Sequence, residues 1–169
     1  MVGPYMPLEP DDLRSLGAAQ GYLDLGMFLE ANFELDEIAP ERRHLPEILE
    51  VRMHIFCALK KWELMQTIAK KLALSDPENV QWTVLWAYAT RRADCIEAAR
   101  PILISAAEQQ EGEALLHFNL ACYECQLGNL DGAKERLSRA FAINLRYRAL
   151  ALDDSDLEPL WETLRTDWP

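Results

Sequence analysis

Between Leu116 and Ile143 the chain alternates apolar and polar positions with the period of a helix, twice over. Leu116, Leu120 and Tyr123 recur three or four apart, with small Ala121 between them. After Gly128-Asn129, Leu130, Ala133, Leu137 and Ala140 do the same. Each run predicts a helix with one buried stripe. Gly128 suits the left-handed residue that closes the first helix. Asp131 and Glu135 favour the start of the second, and Arg136 and Arg139 lie nearer its end, as the helix dipole prefers. Ala121 or Ala133 at the crossing lets the two helices approach closely.

Weaker copies of this unit precede it. Ala133 sits five residues after Gly128, and Ala31 sits five after Gly26; Met65 and Ala98 fill the same slot, so the copies are spaced 34, 33 and 35 residues apart. The helices predicted before the last pair run over Asp11 to Leu25, Met27 to Ile38, Pro46 to about Leu59, Trp62 to Leu74, Glu78 to Arg91, and Cys95 to Glu108. Pro40 and Pro46 impose a longer connection between the second and third. Ser75-Asp76-Pro77-Glu78 reads as a stop followed by a capped start, and Asp94 with Glu97 as the next N-cap. Pro101 falls inside a helix, where it costs about 3 kcal/mol, so a bend or break is expected between Glu97 and Pro101. Residues 1 to 10, with Pro4, Pro7 and Pro10, should be extended, with Tyr5, Met6 and Leu8 against the first helix. After Asn144 the pattern fades into a loop and one short helix, Leu157 to Leu164. Leu157, Leu160, Trp161 and Leu164 would cover the last apolar face.

A helix-turn-helix unit repeating at about 34 residues is the mark of tetratricopeptide repeats, and the chain resembles that family from about residue 12 to 146. The first-helix positions read Ser15-Ala18-Ala19-Tyr22, Leu49-Arg52-Met53-Phe56, Trp82-Leu85-Trp86 and His117-Leu120-Ala121. The second-helix pair of Ala and a large residue reads Ala31-Leu35, Ala98-Ile102 and Ala133-Leu137, with the sizes inverted in Met65-Ala69. The closing Pro survives only as Pro77; Arg43, Gln110 and Leu145 stand in its place. Trp86 occupies a slot where the family has Gly or Ala, which leaves the helix spacing of the third repeat open. The resemblance implies an all-α fold, a right-handed superhelical solenoid of four helix-turn-helix repeats with a C-terminal cap. One domain would then hold repeats at about 12–45, 46–78, 79–113 and 114–146, and a cap at 147–169.

Composition narrows the function. Of 169 residues half are hydrophobic, which argues against disorder, and no run approaches the roughly 20 apolar residues of a membrane span. The start, MVGPYMPLEPDD, lacks the features of a signal peptide, so a cytoplasmic protein is expected. Cys57, Cys95, Cys122 and Cys125 read as reduced thiols. The net charge of −11 opposes nucleic-acid phosphates. The basic pairs Arg42-Arg43, Lys60-Lys61, Lys70-Lys71 and Arg91-Arg92 fall at turns and helix ends, where solvated charge explains them. Trp62, Trp82 and Trp86 read as core rather than as a stacking platform for bases.

By the same resemblance, the first helix of each pair lines a concave face. Three rows of residues follow: Leu16, Glu50, Thr83 and Phe118; Gln20, His54, Ala87 and Cys122; Leu23, Cys57, Thr90 and Cys125. Arg91 and Asp24 lie at the edge. Relatives that grip acidic carboxyl tails use Lys, Asn and Arg here, whereas this face has Arg91 as its only firm cation. An apolar or basic peptide or protein segment is therefore the expected partner, unless these residues pack on one another. Cys122 and Cys125 with Cys57 and His54 form a conceivable soft-metal set, but the thiols come from non-adjacent repeats, and small buried hydrophobes are the plainer reading. Asp153, Asp154 and Asp156 lack the glycine and closing Glu of a calcium loop. His44, His54 and His117 form no triad, and no glycine-rich loop cradles phosphate. The expectation is a non-enzymatic interaction scaffold without cofactor, monomeric or weakly self-associating. A dedicated chaperone of a secreted protein, like type III translocator chaperones, and a self-associating structural protein stand as alternatives.

Overall fold

The computed structural model describes residues 7–166 and 168 and is helical, with no strand among them. Eight helices form four hairpins: α1 (Pro10–Asp24) with α2 (Phe28–Glu37), α3 (Pro46–Ala58) with α4 (Trp62–Ser75), α5 (Val80–Ala93) with α6 (Ile96–Gln109), and α7 (Ala114–Gln126) with α8 (Leu130–Ile143). Three short segments follow: α9 (Arg146–Asp153), a 3-10 segment Ser155–Leu160, and α10 (Trp161–Thr166). Helices touch mainly their neighbours in the chain; α4 packs along α5 as extensively as partners do within a hairpin. The first helices α1 and α3 also meet, as do α5 and α7. No described helix is long and apolar enough to cross a membrane.

Three of the hairpin turns are built alike. Gly26 (φ 74), Lys60 (φ 55) and Gly128 (φ 78) hold left-handed backbone. In each, the next amide reaches back five residues: Met27 N–H to Tyr22 O, Lys61 to Phe56, Asn129 to Glu124, at 2.8–2.9 Å. This closing bond satisfies a carbonyl that the helix end would leave without a partner. The corresponding position in the third hairpin, Asp94, again 34 residues along, has φ −116 and makes a plain helical bond to Thr90 O.

Several local expectations are corrected. Asn79 rather than the Ser75–Glu78 stretch caps α5, accepting from Gln81 N–H at 3.2 Å. Cys95 is the N-cap of α6, and Asp94 accepts from Gln66 instead. Pro101 does not break α6, which runs on to Gln109. It removes only the bond to the Glu97 carbonyl, and Glu97 is exposed, so water can replace it. The stretch after Asn144 is mostly helical rather than loop. Of the N-terminal segment, Tyr5 and Met6 lie outside the described residues; Leu8 packs against the first apolar cluster.

Three apolar clusters follow one another: one under α1 to α3, one joining α3, α4 and α5, and the largest running from α5 to the C-terminal segments. Trp62, Trp82 and Trp86 pack on the middle cluster while remaining partly exposed. Polar ties stitch the hairpins: Arg52 on α3 donates to Asn32 and Asp36 on α2, and two buried carboxylates make others. Buried Asp12 accepts from Glu9 N–H, Ala39 N–H and Arg42, fixing the start of α1 to the α2–α3 connection. Buried Glu124 accepts from Arg100 on α6 and Asn129 at the α7–α8 turn, at 2.7 Å each.

One irregularity follows from residue size at equivalent positions of the four hairpins. Ala19, Met53 and Ala121 stand there in three hairpins and are 0 % exposed. Trp86 is too large to be sealed there. It stays partly exposed and floors two adjoining hollows between α4 and α6.

Candidate functional site

The first helices present two unlike regions. In the N-terminal one, α1 and α3 bound an open hollow of about 390 Å³ lined by Gln20, Leu23, Asp24, Glu50, Val51 and His54. Leu23 and Val51 supply an apolar floor; Asp24 and Glu50 are exposed acids. Leu16 is buried beneath, and Cys57 is half-buried, its thiol raised above the ordinary range by burial against the opposing pull of Arg92. The structure thus brings Gln20, Leu23, Glu50 and His54 together, and adds Val51, which the sequence rows did not include.

Toward the C-terminus the first helices are covered by the chain itself. The 3-10 segment lies on α7. Asp156 on that segment takes both guanidinium nitrogens of Arg91, at 2.5 and 3.3 Å, and Arg91 stacks over Tyr123 at 5.4 Å. Gln126 donates to Asp156 O at 3.0 Å. Phe118 is buried and faces the Tyr147 ring, 5.1 Å between centroids. Cys122 and Cys125 are buried. Cys122 donates to Asp154 Oδ2 at 3.6 Å. Burial first, then neighbouring Asp154 and Asp156, drives the Cys122 thiol far up; burial also raises Cys125. These are protonated, packed thiols rather than nucleophiles.

The remaining row members go elsewhere. Ala87 is fully buried. Thr83 and buried Thr90 line the hollows beside Trp86, a different place from the Gln20–Glu50 hollow, and Thr90 accepts from Gln66 at 3.0 Å. Arg91 is engaged by Asp156, so it presents no free cation. His54 lies in the α1–α3 hollow while Cys122 and Cys125 lie under the C-terminal segment. Among the described residues no group of three His, Cys, Asp or Glu is placed to hold a metal. Asp154 also accepts from Asp156 N–H at 2.9 Å, which caps the 3-10 segment.

What the sequence rows could not contain is the partner of Arg91, 65 residues away in the chain. The acidic run at Asp153–Asp156 was visible, but its target was not. No family model matches the chain, and no curated protein matches it in sequence.

Proposed function

We propose that the protein is a non-enzymatic scaffold whose four hairpins stack as a right-handed tetratricopeptide-type solenoid. Its open groove between α1 and α3 takes a basic protein segment carrying an apolar anchor. The observation that carries this reading is the α1–α3 hollow, apolar at Leu23 and Val51 and acidic at Asp24 and Glu50. The charge around it agrees: residues 1–50 hold 11 acidic and 3 basic side chains, a net −8 of the chain's −11. Of those three cations, Arg42 is engaged by Asp12 and Glu9, and Arg43 by the carbonyls of Ile38 and Asp36. An apolar anchor seated in the floor supplies affinity, and the acidic rim selects and steers a cationic flank. Phe118, Cys122 and Cys125, under the C-terminal segment, then act as packing rather than as contact surface.

The test is titration calorimetry with a short Lys-rich peptide bearing one Leu or Phe anchor, against its Glu-rich counterpart. The wild type should bind the basic peptide only, and Glu50→Lys should weaken it about tenfold. Equal binding of both peptides, or binding unaffected by Glu50→Lys, refutes the site. Affinity capture from the native host with the same pair of proteins then identifies the segment.

A further inference from the structure

A second surface is shaped by Trp86. The two hollows it floors, about 460 and 470 Å³, share Trp86 and Ile102 and adjoin as one trough between α4 and α6. Ala73 and Leu74 form one wall and Pro101, Ile102 and Ala106 the other. Lys70 stands at the rim with its Nζ 5.5 Å from the Trp86 ring, and Lys71 is exposed beside it. Neither lysine has a carboxylate partner among the described residues. Of the 8 basic side chains in residues 51–100, Arg52, Arg91 and Arg100 are paired with Asp36, Asp156 and Glu124, so the positive charge at this trough is that of Lys70 and Lys71.

The same chain exposes a ridge of matching chemistry. On α2, Leu29 and Phe33 are four residues apart, on one face, and 69 % and 63 % exposed. Exposed Leu25 precedes them in the turn. Exposed Glu30 and Glu37 flank them, while Asp36 is already engaged by Arg52 and Asn32. Ten residues of α2 span about 15 Å, and the twelve of the α6 wall from Ala98 to Gln109 about 18 Å, at 1.5 Å rise per residue. An apolar helical ridge with acidic flanks and an apolar trough with a basic rim are complements in shape and in sign.

We propose that the protein binds a second copy of itself, α2 of one molecule seated in the α4–α6 trough of the other. Leu29 and Phe33 enter beside Trp86 and Ile102, and the acids of α2 meet Lys70 and Lys71. This contact is separate from the α1–α3 hollow and does not depend on what binds there. Because ridge and trough are different surfaces, the contact can be broken from either side and restored by mixing.

Sedimentation equilibrium tests this on the full chain with two variants confined to exposed positions: Leu29→Glu with Phe33→Glu, and Lys70→Glu with Leu74→Glu. The wild type should associate reversibly by millimolar concentration, about tenfold more weakly when salt is raised. Each variant should be monomeric with wild-type helicity by circular dichroism. Their mixture should form a one-to-one pair, since the ridge variant keeps its trough and the trough variant its ridge. A wild type that stays monomeric overturns the proposal. So does an association that either variant leaves intact, or a mixture that stays monomeric.

Discussion

Lys60 holds a left-handed backbone, φ 55, at the turn where Gly26 and Gly128 do the same work without a Cβ. For a residue with a side chain that conformation costs about 1–2 kcal/mol. Lys60→Gly should therefore raise stability by about 1 kcal/mol, after the extra freedom of unfolded glycine is subtracted, and Gly128→Ala should lower it by a similar amount. Urea midpoints at constant slope check both. Asp12 makes a prediction about pH. Its carboxyl is held below the usual range, chiefly by the Glu9 amide, with Ala39 N–H and Arg42 adding to this against the cost of burial. A depressed folded value means that this stabilisation is complete above the ordinary carboxylate value of about 4 and is lost as pH falls through the lower folded one. Asp12→Asn should cost stability at neutral pH and leave a shallower acid limb in thermal melts from pH 7 to pH 2; parallel limbs would refute the assignment. In the sequence, Asp12 reads only as an acid in a first helical turn. Its tie to Ala39 and Arg42 was not legible, because it depends on where a proline-bounded connection returns to α1.

At the scale of elements, the eight hairpin helices were legible because long runs carried a helical stripe and the breakers lay between them. The ends were less so. Asn79 took one cap because its side-chain oxygen reaches Gln81 N–H, and Cys95 stands at the other with no side-chain bond while Asp94 turns to Gln66. Helix α9 was missed for a physical reason: of its eight residues only Ala151 is buried, so no stripe marks it. The candidate site was half legible. Repeat spacing placed Gln20, Leu23, Glu50 and His54 together, but nothing in it could bring the last segment back across α7. That segment is fixed by Leu157 and Leu160, 0 % and 1 % exposed, as well as by Asp156. Leu157→Ala should cost about 3 kcal/mol, within the range for a buried leucine. The same change should speed modification of Cys122 by a thiol reagent, while exposed Cys95 reacts quickly in both proteins. Mass spectrometry of the labelled peptides reads both rates. Unchanged Cys122 labelling would mean that the segment does not shield it.

Over the whole molecule, charge is laid out in blocks. Residues 1–50 are net −8 and residues 51–100 net +3; residues 101–169, with 12 acidic and 6 basic side chains, are net −6. The formal charge of −11 conceals that layout. The surplus of the middle block is taken up by the other two, through Arg52 with Asp36, Arg91 with Asp156 and Arg100 with Glu124, and encounters with another charged surface should weaken as salt screens them.

The clasp between Arg91 and Asp156 has a consequence for how the molecule comes apart. Where helices lean chiefly on chain neighbours, loosening starts at a free extremity. Here one extremity is folded back and locked onto α5 and α7, while among the described residues α1 and α2 lean chiefly on each other, on α3 and on the connection before it. Hydrogen exchange should accordingly be quickest in α1 and α2 and slowest in α7. Replacing Arg91 by Ala should let the α7 amides exchange sooner and leave those of α1 and α2 as they were. The end that carries the open α1–α3 hollow is thereby also the end that yields first.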